Sequence, residues 1–193
     1  MMTPIVLDLS RVPIALIGRR RLAERRLAQL NDDANADIRV FSDAPSDGLA
    51  LAAGNRLVRR LPTQADLEGV RLVFIADLST EDAQVIAERA HAAGALVNVE
   101  DRTPLCDFHV PAIVQRGDLL LSVSTGGKSP ALARRLKLAL AELFPQAWTE
   151  RLEQLAGLRQ ELRAQGAPPQ EISHATERVL EREGWVPGPQ PQH

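Results

Sequence analysis

The residues best suited to bind an anion lie in the segment Gly18–Ala23, directly after a short apolar run. In dinucleotide-binding folds a turn of this kind carries glycines, and its backbone N–H groups at a helix start hold a pyrophosphate. The first glycine and the closing alanine of that fingerprint are present, but Arg20 occupies the position of the second glycine. We assign Gly18, Arg20, Arg21 and Leu22 to a cofactor-binding turn.

The arginines of this turn leave two interpretations open. Positive charges at a helix start oppose the helix dipole unless an anion is bound there. The turn is therefore either an arginine-lined site for a phosphate or carboxylate, or a solvated basic turn that remains after cofactor binding was lost. Because the side chain of Arg20 obstructs the close approach that glycine permits, we expect NAD to bind weakly or not at all.

A second candidate position follows the next predicted strand. Asp43 lies roughly 20 residues beyond the glycine turn, where an acidic side chain accepts hydrogen bonds from the ribose hydroxyls of NAD. It also lies in the segment Ser42–Pro45, whose composition is that of a turn in which aspartate accepts from nearby backbone donors. Both roles stay open, and we place Asp43 and Ala44 with the cofactor-binding residues.

A third candidate is the loop Thr125–Ser129, which precedes a strongly predicted helix. Gly126 and Gly127 permit a tight loop with positive φ that presents backbone N–H groups. Lys128 and Arg134 add positive charge near the start of the helix. This combination suits an anionic ligand, although each cation alone also fits a solvated surface.

Strands that alternate with helices must position these residues. Continuous apolar runs predict strands, and apolar residues at helical spacing predict the helices between them. The predicted strands are 12–17, 38–41, 57–58, 70–76 and 95–99, and the predicted helices are 22–30, which ends in Asn31-Asp-Asp, and 81–93. This rhythm predicts an α/β fold with a Rossmann-type, mostly parallel sheet.

The rhythm changes beyond Asp101. We predict a strand at 119–124, helices at 130–143 and 148–164, a break at 166–169 and a last short helix. The predicted domains are a Rossmann NAD-binding-like domain at 1–110, a dimerisation segment at 111–147, a small helical domain at 148–186 and a disordered tail at 187–193. The apolar strand and helix of the middle segment are the reason to expect a shared interface.

Composition restricts the classes of function. The formal net charge of −2 provides no field for binding nucleic acid. The single cysteine, Cys106, excludes an internal disulfide, and the four histidines lack metal-ligand spacing, so no metal site is expected. The amino terminus lacks the pattern of a signal peptide, and no apolar run is long enough to span a membrane. We expect a cytoplasmic protein without a membrane partner.

Three motifs in the second half of the chain are more specific than the nucleotide turn. They are Asn98-Val-Glu-Asp101, the segment Pro111-Ala-Ile-Val-Gln-Arg-Gly117, and the segment Ser124-Thr-Gly-Gly-Lys-Ser-Pro-Ala-Leu-Ala-Arg134. Together with the preceding order of strands, they resemble the dehydrogenase and chelatase module of siroheme synthase over about residues 3–165. The resemblance implies a homodimer that acts on a tetrapyrrole.

The resemblance also implies the chemistry. In this family the module oxidises precorrin-2 to sirohydrochlorin with NAD, and in many members it inserts ferrous iron, a substrate, to give siroheme. The family's catalytic aspartate falls on Asp101, where a base would take protons in either reaction; its structural alternative is to cap the following turn. Asn98 joins the cofactor-binding residues. The implied substrate-binding residues are Arg116, Thr125, Gly126, Gly127, Lys128, Ser129 and Arg134.

Two departures from the family pattern affect the cofactor side. One is Arg20, and the other is Asp77, which stands where the family usually has a threonine beside the nicotinamide. The alternative function is therefore a catalytically reduced tetrapyrrole-binding dimer, or a chelatase-only dimer, that has lost NAD use. A Rossmann regulator that senses a nucleotide would not account for the loop at 124–134.

Overall fold

The computed structural model describes residues 3–30 and 36–186 of the chain. Along the chain these residues divide into two compact units, with the division between Val110 and Pro111. The expected polar end of the first helix at 31–33 and the expected disordered tail at 187–193 lie outside the described residues.

The first unit is built around a five-stranded sheet in which every neighbouring pair is parallel. The strands are β1 (Ile14–Gly18), β2 (Ile38–Phe41), β3 (Leu57–Val58), β4 (Leu72–Ala76) and β5 (Leu96–Val99). Their order across the sheet is β3-β2-β1-β4-β5, so β1 lies in the middle. This is the strand order of the Rossmann fold, which confirms the predicted fold class.

Helices cover both faces of this sheet. They are α1 (Arg21–Leu30), α2 (Asp47–Ala53), α3 (Gln64–Leu67) and α4 (Thr80–Ala92). Ile14 and Leu16 of β1 belong to the apolar cluster that contains the buried face of α1, whereas Ala15 and Ile17 belong to the cluster that contains α4. Because successive side chains of the strand are buried on opposite faces, the sequence of β1 is continuously apolar.

The sequence analysis did not predict α2. This helix begins after Ser46, whose hydroxyl accepts a hydrogen bond from the Leu49 N–H at 3.3 Å. Only Leu49 and Ala53 of the helix are buried. Two buried positions are too few to produce a recognisable helical period.

The second unit begins with an antiparallel hairpin of β6 (Ala112–Arg116) and β7 (Leu119–Val123). Gly117, the first residue of the two-residue connection, has a φ of 57°, which is typical of a type II′ turn. The sequence analysis did not identify β6 as a separate strand. Only Val114 of that strand is fully buried, and the strand therefore lacks the continuous apolar run that predicted the strands of the first unit.

Three helices complete the second unit: α5 (Pro130–Leu143), α6 (Trp148–Ala164) and α7 (Pro169–Glu183). The last is longer than the short helix expected. The guanidinium of Arg151 lies 5.4 Å from the ring centroid of Trp148 and 5.1 Å from that of Trp185. This stack links the start of α6 to the residues that follow α7, and thereby holds the two helices together.

Candidate functional site

The candidate residues of the first unit gather at the carboxyl edge of its sheet. Gly18 ends β1, Asp43 follows β2, Asp77 follows β4 and Asp101 follows β5. Since parallel strands point the same way, these loops lie at one edge, which is where open α/β sheets bind ligands. Asp77 and Asp101 are also the two described non-glycine residues with positive φ, at 56° and 59°. Such conformations cluster at functional sites.

Gly18 is required for the close approach of β1 to α1 and β4. A Cβ atom at this position would lie 2.5 Å from the Cβ of Ala23 and 2.7 Å from the carbonyl oxygen of Ala76. Both distances are too short for carbon contacts. The first glycine and the closing alanine of the turn therefore keep the packing role that they have in dinucleotide-binding folds.

The positive end of α1 is occupied by a carboxylate of the same chain. Oδ2 of Asp77 accepts hydrogen bonds from the backbone N–H of Leu22 at 2.8 Å and of Ala23 at 3.1 Å. These N–H groups belong to the first helical turn, where no carbonyl within the helix can bond to them. A phosphate oxygen in a dinucleotide fold would take the same position.

Arg19 connects three loops of the same edge. Its guanidinium donates to both carboxylate oxygens of Asp43, at 2.7 and 2.8 Å, and to Oδ2 of Asp82 in the first turn of α4, at 2.9 Å. The guanidinium holds the pKa of Asp43 below its usual value, through hydrogen bonding first and through its charge second. The carboxylate expected to bind a ribose is therefore paired with an arginine, and Ala44 beside it is exposed.

Several groups of the turn that could bind NAD are already bonded to other residues of the chain. Two backbone donors suited to a pyrophosphate are bonded to Asp77, and the acidic group suited to a ribose is bonded to Arg19. The side chains of Arg20 and Arg21 are exposed and have no hydrogen-bond or ion-pair partner among the described residues. In this arrangement the turn does not fit a pyrophosphate, although Gly18 and the strand order do fit a dinucleotide fold.

Asp101 lies in the turn that follows β5 and is exposed. Within the part of the chain that the structure describes, its carboxylate has no hydrogen-bond or ion-pair partner. The short 3-10 turn that follows, Thr103–Leu105, has no side-chain cap, so the structure does not support the capping alternative for Asp101. The adjacent Glu100, in contrast, pairs with Arg26 of α1 at 2.7 Å. Asp101 is thus the available carboxylate of this turn.

Asn98, which is buried, and Cys106, which is half-buried, bond to backbone groups behind this turn. Nδ2 of Asn98 donates to the carbonyl oxygen of Phe108 at 2.8 Å, and the side chain is only 7% exposed. The thiol of Cys106 lies within 3.2 Å of the backbone nitrogen of Val99, and burial raises its pKa. The structure gives Asn98 a contact that holds β5 to the following segment, rather than an open position at the cofactor edge.

The candidate loop of the second unit is held by its own hydroxyl groups. The Thr125 hydroxyl donates to the carbonyl oxygen of Ser129 at 3.1 Å and accepts from its N–H at 3.2 Å. The Ser129 hydroxyl accepts from the N–H of Leu132 at 3.3 Å and so caps α5. Gly126 and Gly127 have φ values of 59° and 76°, as the sequence predicted.

The predicted cations of the second unit fall into two groups. Lys128 and Arg134 are exposed at the amino-terminal end of α5 and have no partner among the described side chains. Arg116, however, donates to the carbonyl oxygens of Phe144 at 2.8 Å and Ala141 at 3.3 Å. It therefore caps the carboxyl end of α5, and its contact with substrate stays a prediction.

Sequence reasoning missed the roles of Arg19 and Asp82, and it noted Asp77 only as a departure from a pattern. Arg102 was also missed: its guanidinium donates to the carbonyl oxygens of Leu78 at 3.2 Å and Ser79 at 3.0 Å. One sequence feature could have predicted the role of Asp77. The segment before α1 contains arginines and no side chain that could accept hydrogen bonds from the first N–H groups of the helix. An acceptor from another part of the chain was therefore to be expected.

Within residues 3–30 and 36–186, no cluster of three or more histidine, cysteine, aspartate or glutamate side chains could hold a metal ion. No helix in these residues combines the length and the apolar character needed to cross a lipid bilayer.

Two families match this chain. The family described as "Putative NAD(P)-binding" matches residues 5–112, which is more than half of the chain. The family described as "Sirohaem biosynthesis protein central" matches residues 116–142. The two matches follow each other along the chain in the order that the resemblance implies.

The chain is also similar to curated siroheme synthases. It is 37% identical over 185 residues to the siroheme synthase of Methylococcus capsulatus and 34% identical over 180 residues to siroheme synthase 1 of Aeromonas salmonicida. Each match covers 92% of this chain and 38% of the relative. The chain therefore spans less than half the length of these relatives.

Among solved structures, the fold is similar to that of a protein described as SirC, precorrin-2 dehydrogenase. The TM-score is 0.74 at 21% sequence identity, and the match covers 96% of this chain and 92% of that chain. This likeness agrees with the strand order and with the helices that follow the sheet. The chain belongs to the family described as "Putative NAD(P)-binding", and in this chain that domain is followed by the segment that matches the sirohaem biosynthesis central family.

Proposed function

We propose that this chain is an enzyme of siroheme biosynthesis that oxidises precorrin-2 to sirohydrochlorin with NAD as the electron acceptor. The observation that carries the proposal is Asp101, an exposed carboxylate with positive φ at the ligand-binding edge of the sheet and without a partner among the described residues. The family match and the Rossmann strand order support the dehydrogenase class. They do not favour the alternative that NAD use has been lost.

Asp101 is the proposed catalytic residue. Dehydrogenation of a reduced tetrapyrrole releases a proton, which needs a base, and NAD would supply the hydride acceptor for that reaction. Glu100 and Asp43 are paired with arginines, whereas Asp101 is free to accept that proton. Behind this turn, Asn98 holds β5 to the segment that follows it through its bond to the carbonyl oxygen of Phe108.

The loop at 125–129 and the start of α5 are the proposed recognition element for the substrate. The tetrapyrrole of this family carries several carboxylates, and such groups bind to cations and backbone N–H groups. Lys128 and Arg134 supply exposed positive charge, and Gly126 and Gly127 give the loop the conformation that presents its backbone. Thr125 and Ser129 hold that conformation.

Insertion of ferrous iron into sirohydrochlorin is a second candidate activity of the same chain. It requires the removal of pyrrole protons, for which Asp101 is again the available base. The position of Asp77 at the start of α1 favours including this activity, because metal insertion does not use the pyrophosphate-binding groups that Asp77 occupies. Iron would be a substrate, delivered without a resident metal site.

We further propose a cytoplasmic homodimer formed through the second unit, with no nucleic-acid or membrane partner. Large apolar side chains remain exposed on α5: Leu132 is 49% exposed, Leu136 43%, Leu138 54% and Leu143 55%. A surface of this kind usually meets a partner. The low net charge and the single cysteine support the absence of nucleic-acid binding and a reducing compartment.

Two assays with the purified chain test the proposed activities separately. Precorrin-2 with NAD should give the absorbance change of oxidation, and sirohydrochlorin with ferrous or cobaltous ion should give that of metal insertion. Oxidation that depends on NAD supports the main proposal. Tetrapyrrole binding with neither reaction would contradict it and would favour a binding or delivery protein.

A further inference from the structure

We infer that Asp77 is an internal anion that occupies the pyrophosphate position of the nucleotide turn and competes with NAD for it. The inference rests on the proposed use of NAD and concerns the control of that same site. Cofactor binding would then require the Asp77 side chain to leave the two N–H groups that it now binds. The consequence is a dehydrogenase whose affinity for NAD is lowered by its own carboxylate.

The segment before α1 does not supply a cap for that helix. Helix α1 begins at Arg21, and neither Arg19 nor Arg20 carries a side-chain acceptor that could cap it. Asp77 supplies the missing cap from another loop, with one oxygen on two N–H groups at 2.8 and 3.1 Å. A helix start rich in arginine favours a negative charge, and the chain provides one.

The backbone on either side of Asp77 is held in place. Ala76 is aligned with Gly18 across the pairing of β4 with β1, so Asp77 directly follows the residue that faces the glycine of the turn. Arg102 binds the carbonyl oxygens of Leu78 and Ser79, and this fixes the loop behind Asp77. Withdrawal of the carboxylate is therefore a rotation of one side chain and not an opening of the loop.

The negative charge of Asp77 would also oppose a bound pyrophosphate. A pyrophosphate at the start of α1 would lie beside the Asp77 carboxylate, and like charges at such a distance repel. Arg19 could offset this repulsion only by giving up an ion pair, because its guanidinium is already bonded to Asp43 and Asp82. Hydrogen bonds between a charged acceptor and backbone N–H groups must also be broken before a phosphate can form its own.

The test is calorimetric titration of NAD into the whole chain and into the variants Asp77→Asn and Asp77→Gly. Asparagine and glycine both tolerate the positive φ of this position, so the backbone should be retained. We expect the Kd for NAD to fall about tenfold or more in both variants, given the usual strength of charged hydrogen bonds. Glu81→Gln is the control, since Glu81 is an exposed carboxylate at the start of α4 without contact to α1.

A second readout does not depend on NAD. Without a ligand, Asp77→Gly should melt at a lower temperature than the native chain, because α1 loses its cap, whereas Asp77→Asn keeps an amide oxygen that can accept from the same N–H groups and should melt at a higher temperature than Asp77→Gly. Added inorganic pyrophosphate should raise the melting temperature of the variants more than that of the native chain. An equal response of all chains to pyrophosphate would overturn the inference.

The outcomes separate this inference from the proposed function. Native chain that oxidises precorrin-2 with NAD, together with variants of unchanged or weaker NAD affinity, would overturn the inference alone. Variants that gain NAD binding while the native chain shows no oxidation would support the inference and count against the proposed function. Absence of NAD binding in every chain would overturn the inference, because removing the carboxylate should have exposed the site.

Discussion

At the scale of single residues, the carboxyl edge of the sheet carries carboxylates with different partners. Asp43 and Glu100 are paired with arginines, and Asp77 is bonded to the backbone of α1. Asp101 alone among these four lacks a partner within the described residues. A catalytic base must be able to exchange a proton with its substrate, so this difference in bonding, rather than residue type, distinguishes Asp101.

Replacement of Asp101 should therefore affect activity without affecting folding. We expect Asp101→Ala to lower the rate of precorrin-2 oxidation by about 100- to 10,000-fold, since this is the usual contribution of a positioned acid or base. Asp101→Asn keeps a side chain that tolerates the φ of 59° and should lose as much activity with less effect on melting temperature. An unchanged rate in both variants would make Asp101 a structural residue.

Replacement of Arg20 tests the nucleotide turn. We expect the native chain to bind NAD weakly and Arg20→Gly to bind it more tightly, because glycine lets the backbone approach the phosphate. Calorimetric titration with NAD and NADP measures the effect, and Arg25→Ala, which removes an exposed charge from the same helix, is the control. Tight native binding that the glycine variant weakens would show that the arginine itself holds the phosphate.

At the scale of elements, the short helix α3 depends on its cap. Asp66 accepts hydrogen bonds from the N–H and the hydroxyl of Thr63, at 2.7 and 2.6 Å, and from Arg60 at 2.6 and 2.8 Å. The arginine is the largest cause of a pKa of Asp66 well below the usual range. Because a helix of four residues has little stability of its own, these bonds fix its position under α4.

This pKa gives a dependence of stability on pH with a definite sign. A carboxyl whose pKa is lowered by folding stabilises the folded state fully above its unfolded pKa of about 4, and the contribution is lost as the pH falls towards the folded value. Asp66→Asn should therefore lower the free energy of unfolding by about 1 kcal/mol at pH 7, and by less below pH ~4. Urea unfolding at both pH values measures this, with Glu68→Gln as the exposed control. A difference that does not change with pH would contradict the assignment.

At the scale of the whole molecule, the exposed leucines of α5 predict self-association. Sedimentation at micromolar concentration should give twice the chain mass of 21.1 kDa. Leu136→Lys should shift the protein towards the monomer, because it places a charge within the apolar stripe. Leu51→Lys changes a leucine that is 86% exposed on α2 and should leave the mass unchanged. A native chain that sediments as a monomer would contradict the proposed dimer.

The pattern of residue types along the chain was sufficient to predict much of the secondary structure. The strands β1 and β2 are visible as apolar runs because both faces of the sheet are covered, and α5 and α6 follow from helical spacing with the predicted bounds. The glycine loop at 125–129 was predicted from residue type, because positive φ is a property of the glycine itself. Elements with few buried residues, such as α2 and β6, did not produce such a pattern.

The sequence by itself determined the parallel sheet and the position of the nucleotide turn, because these depend on residue type and on neighbours along the chain, and the family resemblance singled out Asp101. Only the tertiary structure decided what each charge binds. Asp77 lies 55 and 54 positions along the chain from its partners in α1, and Arg116 lies 28 positions from the carbonyl that it caps. No hydrophobic periodicity along the sequence indicates such contacts, because each charge meets its partner only when the chain folds.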